Sequence, residues 1–395
     1  MKPLKRLACM LVAGLMTVPL LTGCAPEEPQ GNLYDILKVE QSPAVSEGVS
    51  QQSPVEQSSA VSQISTVEQP STVSQISTVE QSSAVSQIST VEQSSAPSAS
   101  TVTPAMWRVN DNQGHYCYMF GTIHAADDEA LNLPDYFENA YADSEAIAVE
   151  IDISTVMNDP AQMSDMMKYL MYSDGTTIQD HISAEVYNGV TTVMKNNSTT
   201  YVDHMYDSLT PMAWSSLMDG LVQQKSGLDS EKGVDITLIN RAKKDGRPVL
   251  EVESMELQLK MFERLSDKIG ELMLMSYATQ EGFDSQVDEL KELFAKWKRG
   301  DPVTEDIDES ALALLDKETR EAFEYYYEEM LGKRNPGMAD KVESYLKEGK
   351  KVLVMVGAAH FYDKNGLVNL MRQRGYTVTR ISPAARNDTQ VIGAD

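Results

Sequence analysis

The chain has little cysteine and few long apolar runs, and both shortages exclude classes of protein. Three of its 395 residues are cysteine: Cys9, Cys24 and Cys117. The first two fall in an N-terminal apolar segment, so the body of the chain keeps Cys117 alone. This excludes an internal disulfide and a zinc site built from cysteines. After the N-terminal segment, no apolar run reaches the ~18 residues of a membrane-spanning helix, so we expect a body that is tethered rather than embedded.

Positive charge is scarce as well. The chain has 33 Lys and Arg against 59 Asp and Glu, which gives a formal net charge of −26 at pH 7. A surface this acidic repels the phosphate backbone, so we expect no nucleic-acid partner. Solubility is the simplest explanation of the negative charge.

The N-terminus has the pattern of a bacterial lipoprotein signal. A positively charged start precedes an apolar stretch over residues 7–21, which is too short to span a bilayer comfortably. The stretch runs through Leu-Thr-Gly into Cys24, as in a lipobox, where the cysteine is lipidated and becomes the mature N-terminus. We predict a signal peptide over residues 1–23 and a lipid anchor on Cys24, at the extracytoplasmic face of the cell membrane. An ordinary secretory signal with an incidental cysteine is the alternative.

Residues 24–105 are poor in aromatic side chains and rich in Ser, Gln, Thr and Val. Within them the triplet Val-Glu-Gln recurs every twelve residues, starting at Val55, Val67, Val79 and Val91. Each unit offers only one or two isolated aliphatic side chains, so burial would not offset the conformational entropy lost on ordering. We therefore predict a disordered stalk anchored at Cys24 rather than a repeat solenoid.

Residues 106–382 form the predicted folded body, and the polar tail, residues 383–395, is expected to be flexible. Helical spacing of apolar residues, many of them methionine, predicts a large helical insertion from about residue 155 to 300. Elsewhere strands alternate with helices, which is typical of β-α-β units. The predicted class is α/β, with a central mixed sheet and flanking helices. The predicted strands are Trp107–Val109, Tyr116–Ile123, Ala146–Ile153, Pro248–Val252, one that opens at Lys351, and Tyr376–Ile381.

Two of these strands end in the same G-x-x-H pattern, which places His124 and His360 three residues after Gly121 and Gly357. A glycine lets the chain turn sharply and admits a close neighbour. Open α/β sheets place their sites at the carboxyl ends of the strands. The repeated pattern therefore predicts that the two imidazoles lie in one site, although a lone histidine is more often structural.

Carboxylates occur near the same strand ends. Glu150 falls within the predicted strand Ala146–Ile153, where a carboxylate is costly unless it is paired or bound to a cation. Because strand side chains alternate, Glu150 and Asp152 are expected on one face. Glu253 follows another strand. Two imidazoles with one or more carboxylates can bind a divalent metal, which lowers the pKa of bound water and polarises a carbonyl, while a carboxylate acts as base.

Four blocks of the sequence together resemble the TraB/GumN (TraB/PrgY, Tiki-type) family: Gly121–His124, Val149–Asp152, Gly233–Leu259 and Arg334–Val378. The resemblance covers roughly residues 106–382 and is most specific in the last block. It implies a fold of the erythromycin-esterase/ChaN-like superfamily. It also implies a membrane-tethered metalloprotease acting on secreted peptides or proteins, with manganese or cobalt as the metal and zinc as a further option.

The resemblance implies particular site residues. His124, Glu150 and His360 match the metal-binding and active-site positions. Glu253 matches the acidic residue of a Leu-Glu-Thr motif whose flanking residues differ here, and Arg334 opens the family's Arg-Asn pair. Glu150, Glu253 and Arg334 are thus the candidate catalytic residues. Arg334 either binds a substrate carboxylate or oxyanion, or makes a structural salt bridge. The segment after the second histidine is longer than is usual in the family, so the resemblance does not define the residues that form the rim of the pocket.

The remaining candidates are predicted to be structural. His115, His181 and His204 match no motif, and Cys117 alternates with apolar neighbours as a core residue does. The chain has no G-x-S-x-G elbow, which disfavours a serine hydrolase. Three functions stay open: a tethered metal-dependent peptidase, a protein that binds and sequesters a peptide or haem without chemistry, and a metal-independent ester hydrolase with a histidine base.

Overall fold

The structure is a computed structural model that describes residues 102–265, 267–304 and 316–382. The predicted signal peptide, the anchor at Cys24, nearly all of the predicted stalk and the tail lie outside these ranges and stay predictions. Within the described ranges, no helix combines the length and apolar character needed to cross a membrane.

Six strands form one mixed sheet. They are β1 (Met106–Asn110), β2 (Tyr116–Thr122), β3 (Ala146–Val149), β4 (Val249–Glu251), β5 (Val352–Gly357) and β6 (Thr377–Ile381). Their order is β4-β3-β5-β2-β1-β6. The first four strands in this order run parallel, and β1 pairs antiparallel with both β2 and β6. The predicted mixed sheet is confirmed.

Helices flank the sheet and fill most of the sequence between β3 and β5. In the described ranges they are α1 (Asp135–Asp143), α2 (Ile153–Met157), α3 (Pro160–Leu170), α4 (Ile178–His181), α5 (Ala184–Asn197), α6 (Pro211–Ser226), α7 (Val234–Lys244), α8 (Met255–Arg264), α9 (Asp267–Met275), α10 (Gln280–Arg299), α11 (Lys317–Tyr327), α12 (Asn335–Lys347) and α13 (Leu367–Gln373). Short 3-10 turns cover Asp128–Leu131, Ser230–Lys232 and Ala358–Phe361, and a π-helical turn covers Glu328–Gly332.

The sheet separates two apolar cores, and β5 contributes to both because its side chains alternate between the faces. Leu353 and Met355 pack into the larger core, against the helical region. Val354 packs into the core covered by α12 and α13. A strand buried on both faces explains the uninterrupted apolar run before His360. The body also includes the last residues assigned to the stalk, since Val102 is fully buried.

The predicted strand Ala146–Ile153 is too long, and the expectation that Glu150 and Asp152 share a strand face is wrong. β3 ends at Val149. Asp152 is instead the N-cap of α2, where its carboxylate accepts the N–H of Thr155, and it also pairs with Lys243. Aspartate competes for backbone donors in this way at helix starts, and this ends the strand.

The parallel strands bring the candidate residues to one edge of the sheet. Thr122 of β2 pairs with Gly357 of β5, and Val149 of β3 pairs with both Met355 and Glu251. The residues that follow each strand therefore emerge at the same level, as expected for parallel strands.

Candidate active site

Glu150 is the first residue after β3 and lies at the centre of the site, only 7% exposed. Its Oε1 accepts the backbone N–H of Gly357 at 2.8 Å, and its Oε2 accepts Nη2 of Arg334 at 2.5 Å. Burial alone would raise the pKa of this carboxyl. The Arg334 guanidinium, aided by the two histidines and the Gly357 N–H, outweighs burial and lowers the pKa to about 2. Glu150 is therefore an anion over the physiological range.

His360 lies in the turn Ala358–Phe361, and its ring orientation follows from its neighbours. Its Nδ1 is 2.6 Å from Oδ1 of Asn335, whose Nδ2 donates to the carbonyl of Asn365. Because the amide oxygen must accept, Nδ1 carries the hydrogen and Nε2 presents a lone pair. That Nε2 lies 3.6 Å from Oε1 of Glu150. Burial, with the positive charge of Arg334, lowers the pKa of His360 to about 3, so the ring is neutral.

His124 follows β2 and is held by the start of α7. Its Nδ1 lies 2.7 Å from Oδ2 of Asp235. Gly233 permits this approach, because a Cβ there would come within 2.5 Å of the His124 carbonyl oxygen. Burial opposes the charged ring, but the carboxylates of Asp235 and Glu150 outweigh it and raise the pKa of His124 to about 9. Without a bound cation, His124 is protonated at neutral pH.

Gly357 lets the three side chains meet. A Cβ at this position would lie 3.3 Å from Oε1 of Glu150, 3.7 Å from Cδ2 of His360 and 3.8 Å from Nε2 of His124. The glycine of the second G-x-x-H pattern is thus the point at which the glutamate and both imidazoles converge.

Arg334 and Glu253 form a buried ion pair behind Glu150. Nε and Nη2 of Arg334 donate to the two carboxylate oxygens of Glu253 at 2.8 and 2.6 Å, and Nη1 donates to the carbonyl of Met330. Gln258 also donates to Glu253. All three nitrogens of the guanidinium are engaged, and neither side chain lines the two cavities at His124. In this arrangement Arg334 and Glu253 position Glu150, which favours the structural alternative for Arg334.

Two cavities include His124 in their walls. The larger, about 500 Å³, lies between the ends of β2 and β3 and the helices α2 and α7, and includes His124, Glu150 and Asp235 in its wall. The smaller, about 50 Å³, lies behind Gly357 and reaches α6. The larger one has the volume of a small-ligand or peptide-segment pocket.

The donor atoms fit a divalent metal in kind. Two imidazole nitrogens and one carboxylate oxygen leave positions open for water. Metal-bound histidines also commonly donate their other ring N–H to an oxygen, as His124 and His360 are placed to do. Two features oppose a ready-made site: Arg334 holds one oxygen of Glu150, and a metal must displace the proton of His124. In the described ranges, no group of three or more His, Cys, Asp or Glu side chains is spaced to hold a metal. The donor atoms are therefore of the right chemical type for a divalent metal, but they are not spaced as metal ligands.

The other predicted structural residues are placed as expected. His115, His181 and His204 each pair through Nδ1 with an aspartate, at 2.7 to 2.8 Å. Cys117 is fully buried in β2, and burial raises the pKa of its thiol to about 11, so it is not a nucleophile.

Sequence reasoning missed Asp235 and the partner role of Asn335. Asp235 lies in the first turn of α7, two residues after the Gly233 that approaches His124. A sequence signal for Asp235 existed: it is the aspartate of a Gly-x-Asp at the start of a helix, in one of the blocks that resemble the family. Nothing in the spacing connects it to His124, because the contact forms only when α7 docks beside β2.

A buried glutamate flanked by two oriented histidines, at the carboxyl ends of parallel strands, defines an α/β protein with a histidine–glutamate centre. The chain belongs to the TraB/PrgY/gumN family, whose sequence profile matches residues 105–380. This confirms the resemblance in the sequence, whereas the wider superfamily stays a prediction.

Individual relatives are distant. The chain is 24% identical over 257 residues to the protein called "Uncharacterized protein YbaP" of Escherichia coli (strain K12), which covers 65% of this chain and 87% of that one. It is 23% identical over 312 residues to metalloprotease TIKI2 of Xenopus tropicalis, covering 69% of this chain and 59% of TIKI2. The TIKI2 of Danio rerio is 21% identical over 306 residues, with 67% and 58% covered. No solved structure gave a significant match.

Proposed function

We propose that this chain is a lipid-anchored, extracytoplasmic hydrolase that cleaves peptides or proteins with a divalent metal at His124, Glu150 and His360. The observation that carries the proposal is the convergence of these three side chains on Gly357, with each imidazole oriented through its Nδ1. Family membership and the distant relatives called metalloproteases support the reaction class.

Nε2 of His124, Nε2 of His360 and Oε1 of Glu150 would hold the metal, which would activate water and polarise the scissile carbonyl. Asp235 and Asn335 fix the two rings in the required orientation. A carboxylate with a pKa of about 2 is a weak base, so Glu150 contributes its negative charge more than its basicity. Arg334 and Glu253 keep that carboxylate in place.

The larger cavity supports a peptide substrate with an aliphatic side chain. Its wall includes four isoleucines: Ile151, Ile153, Ile236 and Ile239. Its polar lining consists of hydroxyls, amides and the acidic Glu231 and Asp235 besides the centre itself, with no Lys or Arg among the lining residues. An acidic side chain would be repelled here, whereas an apolar or cationic segment would be accepted.

One observation favours a second candidate, the metal-independent ester hydrolase. The two histidines have opposite protonation states: His124 is charged and His360 is neutral with a free Nε2. Without a metal the pair offers a proton on His124 and a lone pair on His360, but with a pKa of about 3 that lone pair is a weak base, like the carboxylate of Glu150. A third possibility is that the chain binds a peptide or haem without turnover, in which case both hydrolase proposals are wrong.

The deciding experiment is peptide cleavage by the full chain with Mn²⁺, Co²⁺, Zn²⁺ or a chelator. We expect metal-stimulated cleavage that His124→Ala, Glu150→Gln and His360→Ala each reduce by about 100-fold or more. His204→Ala, at an exposed histidine with its own aspartate, is the matched control and should retain activity. Ester cleavage that resists the chelator would select the second candidate, and tight binding with no turnover would defeat both.

A further inference from the structure

Asp219 on α6 is a buried carboxyl with no cationic partner. It is 3% exposed, and among the described residues its hydrogen-bond partner is the hydroxyl of Tyr277, which donates to Oδ1 at 2.5 Å. Within the described ranges, no ion pair involves it. A buried carboxyl without a counter-charge favours its protonated form. Burial raises the pKa of Asp219 to about 7, and the Tyr277 hydrogen bond opposes the rise only in part.

The position of Asp219 connects it to the active site. It lines the small cavity of about 50 Å³ together with Gln223, one turn further along α6, and with His124 and Gly357. Thr122 lines the same cavity, and its buried hydroxyl has no hydrogen-bond partner in the part of the chain that the structure describes. A cavity of this size with four polar side chains has the room and the partners to hold water. Gly357, where Glu150 and both histidines meet, forms part of the wall of this cavity.

We propose that Asp219 is a proton donor of the hydrolysis, acting through the small cavity behind Gly357; this rests on the proposed hydrolase function. As the C–O bond to the attacking water forms and the C–N bond breaks, the leaving nitrogen receives the Asp219 proton. A proton released by the attacking water restores the carboxyl, so water is the only co-reactant. His124 and His360, with a metal where one binds, would activate water, and Asp219 would supply the proton from α6 through the small cavity.

The titratable groups around Asp219 leave it free to act in this range. Tyr277 and Tyr326 face it from the helical region, and burial raises the pKa of both phenols, so they stay neutral. The charge of Glu289 acts on Tyr277, the charge of Arg334 acts on Tyr326, and His124 lines the cavity at the end of β2. Burial brings the pKa of Asp219 to about 7, so its protonation changes near neutral pH.

The test is the pH dependence of kcat/KM for peptide cleavage by the full chain between pH 5 and 9. Wild type should lose activity as Asp219 ionises, near pH 7. In Asp219→Asn, kcat/KM should be about 100-fold lower at pH 6, and the decrease in activity on the alkaline side of the pH profile (the alkaline limb) should disappear. Tyr277→Phe removes a hydrogen bond that favours the carboxylate, so the limb should move to higher pH. Tyr187→Phe, at a buried tyrosine bonded to Asp207 away from the cavity, is the matched control and should leave the limb in place.

A second measurement does not need a substrate. Since the fold favours protonated Asp219, the wild type should lose stability relative to Asp219→Asn as pH rises from about 4 through 7. Equal pH dependence of unfolding in the two proteins, or an alkaline limb that neither substitution moves, overturns the inference about Asp219. Absence of turnover by the wild type with every metal tested defeats the proposed function, whatever the unfolding curves show.

Discussion

The two histidine-bearing strand ends share one sequence pattern and have opposite electrostatics. His124 contacts the carboxylate of Asp235, which raises its pKa despite burial. His360 contacts the neutral amide of Asn335, and burial lowers its pKa. The G-x-x-H pattern therefore places each ring, while the carboxylate of Asp235 keeps the proton on His124 and burial removes it from His360.

This difference predicts opposite effects of pH on stability. The folded pKa of His124, about 9, exceeds its ordinary value of 6.5, so its contribution is fully present below pH 6.5 and is lost as pH rises through 9. The folded pKa of His360, about 3, lies below 6.5, so its contribution is lost as pH falls from 6.5 toward 3. Both residues together leave the site most stable near pH 6.5.

The largest effect is expected from removing the cation that lowers the pKa of both histidines. Arg334→Met removes the ion-pair partner that the buried Glu150 and Glu253 share, which should cost about 3–5 kcal/mol of folding free energy. Denaturant unfolding measures this loss. The control is Arg299→Met, since Arg299 pairs with Asp301 and Glu292 at the surface and should change little. Similar midpoints for the two variants would contradict the role given to Arg334.

The next effect is on the proton of His360. Asn335→Asp would give this ring a carboxylate partner of the kind that His124 has, so its pKa should rise and the metal-free ring should become charged nearer neutral pH. Ring ¹⁵N chemical shifts at pH 6 to 8 distinguish the neutral tautomer from the imidazolium. A ring that stays neutral across this range would show that burial, and not the partner, decides the protonation state.

The reverse substitution acts on His124. Asp235→Asn removes the carboxylate, so the pKa of His124 should fall, and the loss of stability between pH 6.5 and 9 should become smaller. Free energies of unfolding at pH 6, 7.5 and 9 measure this for both proteins. A parallel pH dependence in wild type and variant would show that Asp235 does not hold the proton on His124.

A smaller effect on catalysis is expected from a substitution at Gly357, where the two strand ends meet. A Cβ at Gly357 would lie 3.3 Å from Oε1 of Glu150, which requires a shift of a few tenths of an ångström. Gly357→Ala should keep the fold and lower kcat/KM roughly tenfold, because small displacements of reacting groups are costly. Gly337→Ala, where a Cβ meets nothing within 4 Å, should leave the rate unchanged.

No effect on catalysis is expected from the predicted stalk. Deleting residues 25–101 should leave peptide turnover intact, because the described body begins with the buried Val102. Cys24→Ser should move the protein from the membrane fraction to the soluble extracytoplasmic fraction without changing turnover. Retention at the membrane would contradict the lipid anchor.

Sequence reasoning recovered the sheet and the convergence of His124, Glu150 and His360, because apolar runs that end in glycine and a polar residue identify strand ends in parallel sheets. It placed Glu150 within a strand that in fact ends at Val149, since the cap formed by Asp152 depends on local hydrogen bonds rather than on apolar pattern. Asp235 could not be connected to its histidine for a different reason: that contact forms between segments far apart in the sequence.

Proton release on metal binding tests the central claim most directly. Calorimetric titration of the full chain with Mn²⁺ at pH 7.5, in buffers of different ionisation enthalpy, counts the protons released. Because His124 is protonated and His360 is neutral, binding should release about one proton per metal and should be lost in His360→Ala. Saturable binding without proton release, or binding that survives His360→Ala, would contradict a metal held between the two histidines.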